Sequence, residues 1–234
     1  EARGVPVPAF MIASITNRCN LQCKGCFAQT QQRFLETEMS ADKLRSVIAE
    51  ADEMGISIIL LSGGEPLARP EILDITRDFP GIIFPLFTNG LLINEEMIAR
   101  FKKQRNVIPV ISLEGDKTCT DNRRGQGVYA HLQKTIATMH ERNIFFGTSL
   151  TVTRQNFAVV TNRDFIRELI AKGSKLIFFV DYVPVQEGTE DMALTETQRA
   201  EEACMMAAFR SELPGLYFAF PGDEEGLGGC LGAG

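Results

Sequence analysis

Thr16-Asn17-Arg18-Cys19-Asn20-Leu21-Gln22-Cys23-Lys24-Gly25-Cys26-Phe27 places three cysteines in one short loop, spaced Cys-x3-Cys-x2-Cys. The run before it, Ala9 to Ile15, is apolar and of strand length, so the loop caps the carboxyl end of a first strand. Three thiolates with no fourth beside them leave three readings open. A structural zinc site closes with four ligands, which here requires a distant partner such as Cys119 or Cys230. An electron-transfer iron–sulfur cluster is also held by cysteine thiolates, usually four. A cluster on three thiolates leaves one iron free to bind something else, and the loop then serves chemistry rather than structure. The two histidines, His131 and His140, are nine residues apart and share no helix face, so they add no ligand pair.

Outward from the loop, apolar runs of strand length alternate with runs of helical period. Ser40 caps a helix in which Leu44, Val47, Ile48, Ala51 and Met54 recur at helical spacing until Gly55. Ile56 to Leu61 reads as a second strand, Gly81 to Phe87 a third, Val107 to Leu113 a fourth, Ile144 to Val152 a fifth and Leu176 to Val183 a sixth. Helices fall over Pro70 to Phe79, Asn94 to Gln104, Val128 to Arg142, Val160 to Ala171 and Thr195 to Ser211, and a short apolar strand, Leu216 to Phe220, comes last. The strands are continuously apolar, the pattern of a parallel sheet covered on both faces. Six βα units with right-handed crossovers make an α/β fold, either a partial (β/α) barrel or a doubly wound open sheet. No Gly-x-Gly-x-x-Gly follows the first strand, which weighs against a dinucleotide-binding sheet.

The carboxyl ends of the strands favour the barrel. The cysteine loop follows strand one, Ser62-Gly63-Gly64-Glu65-Pro66 strand two, Thr88-Asn89-Gly90 strand three and Glu114-Gly115-Asp116 strand four. Barrels place their active sites at that end, so four chemically conspicuous segments converge on one mouth. Ser112 and Glu114 lie two apart and therefore face the same side. The expected architecture is a partial (β/α)6 TIM-like barrel with a parallel sheet over residues 1–213, followed by a short C-terminal extension over 214–234.

Composition narrows the function classes. The chain has 234 residues with net charge −6, 44 % hydrophobic and 23 % charged, ordinary for a soluble domain with a substantial core. No dense basic patch marks a nucleic-acid partner, and no apolar run reaches the ~18 residues of a membrane span. Three of the six cysteines crowd into one loop, which is not a disulfide framework and reads as a reducing, cytoplasmic compartment. Cys119 and Cys204 read as unligated, and Met192, Met205 and Met206 as core filler. The first residue, Glu1, reads as a trimmed N-terminus.

Taken in order, these segments resemble the signatures of the radical S-adenosylmethionine (radical SAM) enzymes, from about Ala9 to Val185. Gly63-Gly64-Glu65-Pro66, Thr88-Asn89-Gly90 and Ile111-Ser112-Leu113-Glu114-Gly115 match the family's segments after strands two, three and four. The resemblance implies a 4Fe–4S cluster on Cys19, Cys23 and Cys26, with S-adenosylmethionine (SAM) chelating the open iron. One electron then cleaves the sulfonium to methionine and a 5′-deoxyadenosyl radical that abstracts hydrogen from substrate. It implies that Glu65 pairs with the SAM ammonium and that Gly63 and Gly64 admit the methionyl moiety. Asn89 then lines the pocket, and Ser112 and Glu114 reach the SAM carboxylate and ribose. Arg124, or Arg123 in its place, meets the carboxylate, and Tyr182-Val183-Pro184-Val185 forms an apolar wall for adenine. Two departures stand out. Related enzymes often carry Asp at the Glu114 position, and many have an aromatic residue where this chain has Gly25, with Phe27 one place later. An electron donor such as flavodoxin or ferredoxin is implied as partner.

The tail, Gly228-Gly229-Cys230-Leu231-Gly232-Ala233-Gly234, resembles the start of a SPASM region. In that branch a cysteine-rich extension binds auxiliary clusters, and many members modify peptides or proteins. One cysteine holds no cluster by itself, so the extension is expected to be incomplete. The expected activity is a radical SAM enzyme, an oxidoreductase or maturase, acting on a peptide or protein. One alternative is a small-molecule substrate for the same enzyme; the other is a noncatalytic iron–sulfur electron carrier or metal-stabilised binding protein, and an electron carrier has no need of the Gly63 to Pro66 segment or Ser112.

Overall fold

The computed structural model describes residues 7, 8, 10–31 and 38–223. Its elements, in chain order, are β1 (Met11–Ser14), α1 (Phe27–Gln31), α2 (Ala41–Glu53), β2 (Ile59–Ser62), α3 (Ile72–Arg77), β3 (Phe84–Thr88), α4 (Glu95–Lys103), β4 (Val107–Leu113), α5 (Lys117–Arg124), α6 (Val128–Glu141), β5 (Gly147–Val152), α7 (Phe157–Val160), α8 (Arg163–Ala171), β6 (Leu176–Asp181), α9 (Glu196–Glu212) and β7 (Leu216–Phe220). The seven strands form one sheet in sequence order, each parallel to the next. A doubly wound sheet reverses its strand order at a switch point. This one never does, so it curls one way into a partial barrel. The ring of Phe10, just before β1, lies 6.3 Å from that of Phe220, at the end of β7, so the two edges of the curled sheet meet there.

The expected strands and helices form. Ser40 caps α2 through a 3.2 Å bond from the Lys43 N–H, and Asn94 caps α4 through a 3.0 Å bond from the Met97 N–H. Thr195 and Gln198 close a reciprocal capping box on α9. Two features differ from the sequence reading. Leu216–Phe220 is a full member of the sheet, pairing with β6 from Leu176↔Leu216 to Val180↔Phe220. The segment after β4 is a helix, α5, capped by Asp116 (2.8 Å from the Cys119 N–H) and stopped at Gly125, whose φ of +119° suits only glycine. Ala9 and the Gly228 to Gly234 tail with Cys230 lie outside the described residues.

Register sorts each strand into two faces. The outward positions, such as Leu61, Leu86, Leu113 and Leu150, pack with Ile48, Leu132, Met139 and Ile166 of the helices into the main core, all of them fully buried. The inward face holds a second cluster of Val110, Leu176 and Phe178, flanked by Phe87, Val180 and Phe218. Phe178 stacks on Phe218 at 4.7 Å and meets Phe87 edge-on at 5.0 Å. Toward the carboxyl ends the inward positions change to hydroxyls, with Ser14 beside Ser62 and Ser112 beside Ser149. The lumen thus has an aromatic floor and a polar upper tier. Its apolar wall is not covered: Ile12, Ile83 and Leu216 are 43 %, 44 % and 56 % exposed. The continuous apolar runs therefore report one face packed on helices and one face lining an open lumen, where two covered faces were expected.

One charged pair sits between the sheet and α9. Glu202, buried, shares a hydrogen bond with Asp181 at the end of β6, and Arg199 approaches Asp181 at 3.5 Å. Burial first, then the neighbouring Asp181, pushes the Glu202 carboxyl up to about 8. No helix among the described residues is long and apolar enough to cross a membrane.

Candidate functional site

The cysteine loop is tied down at both ends. At its root, the Gly64 N–H donates to the Thr16 carbonyl (2.7 Å) and the Glu65 N–H to the Arg18 carbonyl (2.8 Å). A Cβ on Gly63 or Gly64 would lie 2.4 Å from one of those same carbonyl oxygens, so only glycine lets the two loops touch. Buried Arg69 reinforces the root, donating to the Ile15 carbonyl at 2.7 Å while pairing with Glu71 at 2.9 Å. At the far end, the Lys24 N–H donates to the Arg123 carbonyl at 3.0 Å. Gly25 follows with φ +63°, lying so close to Tyr182 that a Cβ there would be 2.4 Å from the phenolic oxygen. That hydroxyl donates to Thr189 Oγ1 at 2.8 Å, which fixes the ring beneath the loop.

Around the loop the sequence-predicted residues gather into two groups. The first holds Cys19, Glu65 and Asn89. Glu65 is fully buried and accepts from Thr88 Oγ1 (2.7 Å) and the Leu67 N–H (2.9 Å) on Oε1, and from the Asn89 N–H (2.6 Å) on Oε2. The Asn89 side chain donates to Asn20 Oδ1 at 2.7 Å and approaches Cys19 Sγ at 3.8 Å. Among the described residues Glu65 has no ion-pair partner. Burial pushes its carboxyl above the ordinary range, and the three hydrogen bonds only partly offset that.

The second group holds Cys23, Glu114, Arg123 and Arg124. Both arginines converge on one oxygen of Glu114, Arg123 Nη1 at 2.7 Å and Arg124 Nη2 at 2.6 Å, with Arg124 Nε at 2.8 Å. Here the longer side chain of Glu in place of Asp reaches two cations at once. Asn156 steadies the same corner, donating to the Glu114 carbonyl at 3.0 Å and the Thr151 carbonyl at 2.8 Å. Glu114 Oε2 and Arg123 Nε remain buried with no hydrogen-bond partner. A cavity of about 440 Å³ borders Glu114 and Arg123, with Lys24, Cys119 and Asn156 on its rim. Ser112 stands apart from both groups on the inner face of β4, half-exposed to the lumen beside Ser149.

The donors fit an iron–sulfur cluster and a zwitterionic cofactor on three counts. Cys19, Cys23 and Cys26 are free, half-buried thiols on one loop. Among the described residues no His, Cys, Asp or Glu side chains are drawn together as the closed four-ligand shell of a structural zinc site. Polar capacity remains at the mouth: Glu65 is a buried, hydrogen-bonded carboxylate with no salt-bridge partner, and Glu114 keeps one oxygen without a hydrogen bond. Burial raises the Cys19 thiol, with the Glu65 carboxylate adding to it. Burial also raises Cys23, against the pull of Arg124 and Arg123. Cys119 lies on α5 rather than on the loop, and its thiol is pushed up to about 11 by burial and the hydrogen bond with Asp116.

Two of these residues carry no sequence signal. Arg69 and Asn156 act through contacts between distant segments, and nothing in their local pattern marks them. Tyr182, expected with Val183, Pro184 and Val185 as an apolar wall for adenine, sits against Gly25, with the Arg123 guanidinium 6.0 Å from its ring centre, while its neighbour Val183 is exposed.

Comparisons with known proteins identify the family and the fold. A family model described as the Radical SAM superfamily matches residues 13–181. The chain is 31 % identical over 150 residues to an Fe-coproporphyrin III synthase of Methanosarcina barkeri, covering 62 % of this chain and 37 % of that protein. It is 27 % identical over 130 residues to a PqqA peptide cyclase of Rhodopseudomonas palustris, covering 55 % and 34 %. Streptococcus suis SuiB bound to precursor peptide SuiA superposes with a TM-score of 0.73 at 17 % identity, over 91 % of this chain and 48 % of that one. The chain thus spans half or less of the length of these three proteins.

Proposed function

We propose, because this chain belongs to the radical SAM superfamily, whose enzymes use a 4Fe–4S cluster and S-adenosylmethionine, that it is the radical-generating core of an enzyme that modifies a peptide or protein. Bound there, a reduced cluster and SAM would supply reductive cleavage of the sulfonium, to methionine and a 5′-deoxyadenosyl radical able to take hydrogen from substrate. The chain's own residues divide the remaining work. Cys19, Cys23 and Cys26 hold the cluster. Glu65 meets the SAM ammonium, with Gly63 and Gly64 admitting the methionyl end and Asn89 lining the pocket. Arg124 and Ser112 take the carboxylate, and Glu114 offers its free oxygen to the ribose. The lumen below holds the substrate against its aromatic floor. An electron carrier such as flavodoxin or ferredoxin delivers the electron.

The observation that carries this reading is Glu65. A fully buried carboxylate with no ion-pair partner, on a loop bonded directly to the cysteine loop, is a seat for a cation. An electron carrier or a metal-stapled binding module has no use for one. The peptide reading is supported by the glycine–cysteine tail and by the PqqA peptide cyclase relative. A second reading, a small-molecule substrate, is favoured by the higher identity to the Fe-coproporphyrin III synthase.

The test is anaerobic reconstitution with iron and sulfide, then addition of SAM and dithionite. 5′-Deoxyadenosine should form. Its absence with the cluster intact defeats the enzyme reading. Cys23→Ala should lose the cluster's visible absorption, and retention of that absorption refutes the ligand assignment. A precursor peptide that quickens 5′-deoxyadenosine release, where an iron coproporphyrin does not, supports the first substrate reading, and the reverse supports the second.

A further inference from the structure

Arg123 is placed unlike any other cation at the mouth. Its main chain is bonded to the cysteine loop itself, through the Lys24 N–H at 3.0 Å, between the second and third thiols. Its side chain is held on three sides, by Glu114 at 2.7 Å, by Thr151 Oγ1 at 3.2 Å and by the Tyr182 ring at 6.0 Å. The ring that holds it is the same ring on which Gly25 rests. Its Nε–H is buried with no acceptor, a costly state for a charged donor. Its neighbour Arg124 spends both Nε and Nη2 on Glu114.

We propose that Arg123 is a positioning residue for the iron–sulfur cluster: a fixed positive charge behind Cys23 and Cys26 that favours the reduced cluster and anchors the loop that carries it. The inference rests on the cluster assignment above. The guanidinium lies 6.0 Å from the centre of the Tyr182 ring, and Gly25, between Cys23 and Cys26, packs on that same ring, so the charge sits beside the segment that carries those two thiols. A cluster on three thiolates gains one further negative charge when an external one-electron donor reduces it. Net charge and hydrogen bonds to sulfur are what set such potentials. A guanidinium pinned beside the loop therefore stabilises the reduced form more than the oxidised form, and its Nε–H is left unpartnered.

The experiment is a redox titration of the reconstituted chain, followed by visible absorption and by the electron paramagnetic resonance of the reduced cluster, without SAM or substrate. Arg123→Gln should keep the cluster but lower its reduced-to-oxidised ratio at fixed poise by about tenfold, about 59 mV for a one-electron couple. Arg123→Lys should restore most of the difference. An Arg123→Gln chain that takes up no cluster, while Arg123→Lys does so at the wild-type potential, supports the same conclusion. A wild-type potential in Arg123→Gln overturns the inference and leaves the cluster assignment standing. An equal displacement in both variants overturns it too, because a merely structural role ignores charge. Failure of the wild-type chain to assemble any cluster removes both.

Discussion

Gly25 shows how narrow the tolerance is at a single residue. Its φ of +63° costs an L side chain roughly 1–2 kcal/mol, and its Cβ would overlap the Tyr182 ring. Gly25→Ala should therefore shift the loop rather than simply strain it. We predict a fall in stability of about 2 kcal/mol or more by urea unfolding, with iron retention after desalting reduced to below half of wild type. Unchanged retention would mean that the loop moves without disturbing its thiols. The residues that make this corner legible in sequence are the ones whose chemistry fixes their type and spacing: three cysteines, the Gly63-Gly64-Glu65 segment, and Ser112 with Glu114 two apart. Arg69 and Tyr182 were not legible as neighbours of the loop. Their partners lie far along the chain or across the mouth, and pattern within one segment is blind to that. The choice between Arg123 and Arg124 was equally closed to sequence, because both reach the same oxygen of Glu114.

Among the elements, α5 matters most, because it carries both arginines. It has no apolar stripe, only Thr120 and Asp121 being buried, so helical period gave no cue. The cue that was present is punctuation: Asp116 before the first turn, and Arg123-Arg124-Gly125 at the end, with basic residues in the last turn as the helix dipole prefers. Asp116→Ala should cost about 1 kcal/mol through the lost cap and should fray α5 at the end opposite the arginines. The expected outcome is a lower urea midpoint with SAM affinity within about threefold of wild type, read by equilibrium dialysis. A large loss of affinity would show that α5 moves as one rigid body. The strands were readable by their apolar runs and β7 by its composition, but its place beside β6 was not. Pairing is a property of the whole sheet, and a run of five residues does not state its neighbour.

At the scale of the molecule, the helical layer and the sheet meet over one shared proton. Glu202 holds its proton up to about 8 in the folded chain, against an ordinary value of 4.5. The folded state is therefore favoured below pH 4.5, and that increment is lost as pH rises through about 8. Within the window the slope is at most one proton, about 1.36 kcal/mol per pH unit. Glu202→Gln keeps the shape and a donor toward Asp181, and should flatten the dependence and raise stability at pH 8. An unaltered slope in pH-dependent urea unfolding would place the titrating group elsewhere. Cluster assembly should show the opposite trend, since buried Cys19 and Cys23 must lose protons to bind iron, and uptake should quicken as pH rises.

The contact between Phe10 and Phe220 has a mechanical consequence. Seven strands are welded edge to edge by backbone hydrogen bonds, but the band's two free ends touch through a pair of rings 6.3 Å apart. Such a pair contributes roughly 0.5–1.5 kcal/mol, less than the several bonds of one strand ladder. The girth of the lumen is therefore an elastic quantity, like that of a spring clip. Parting this seam would widen the lumen without breaking any of the backbone bonds that tie the cysteine loop to the Gly63-Gly64-Glu65 segment.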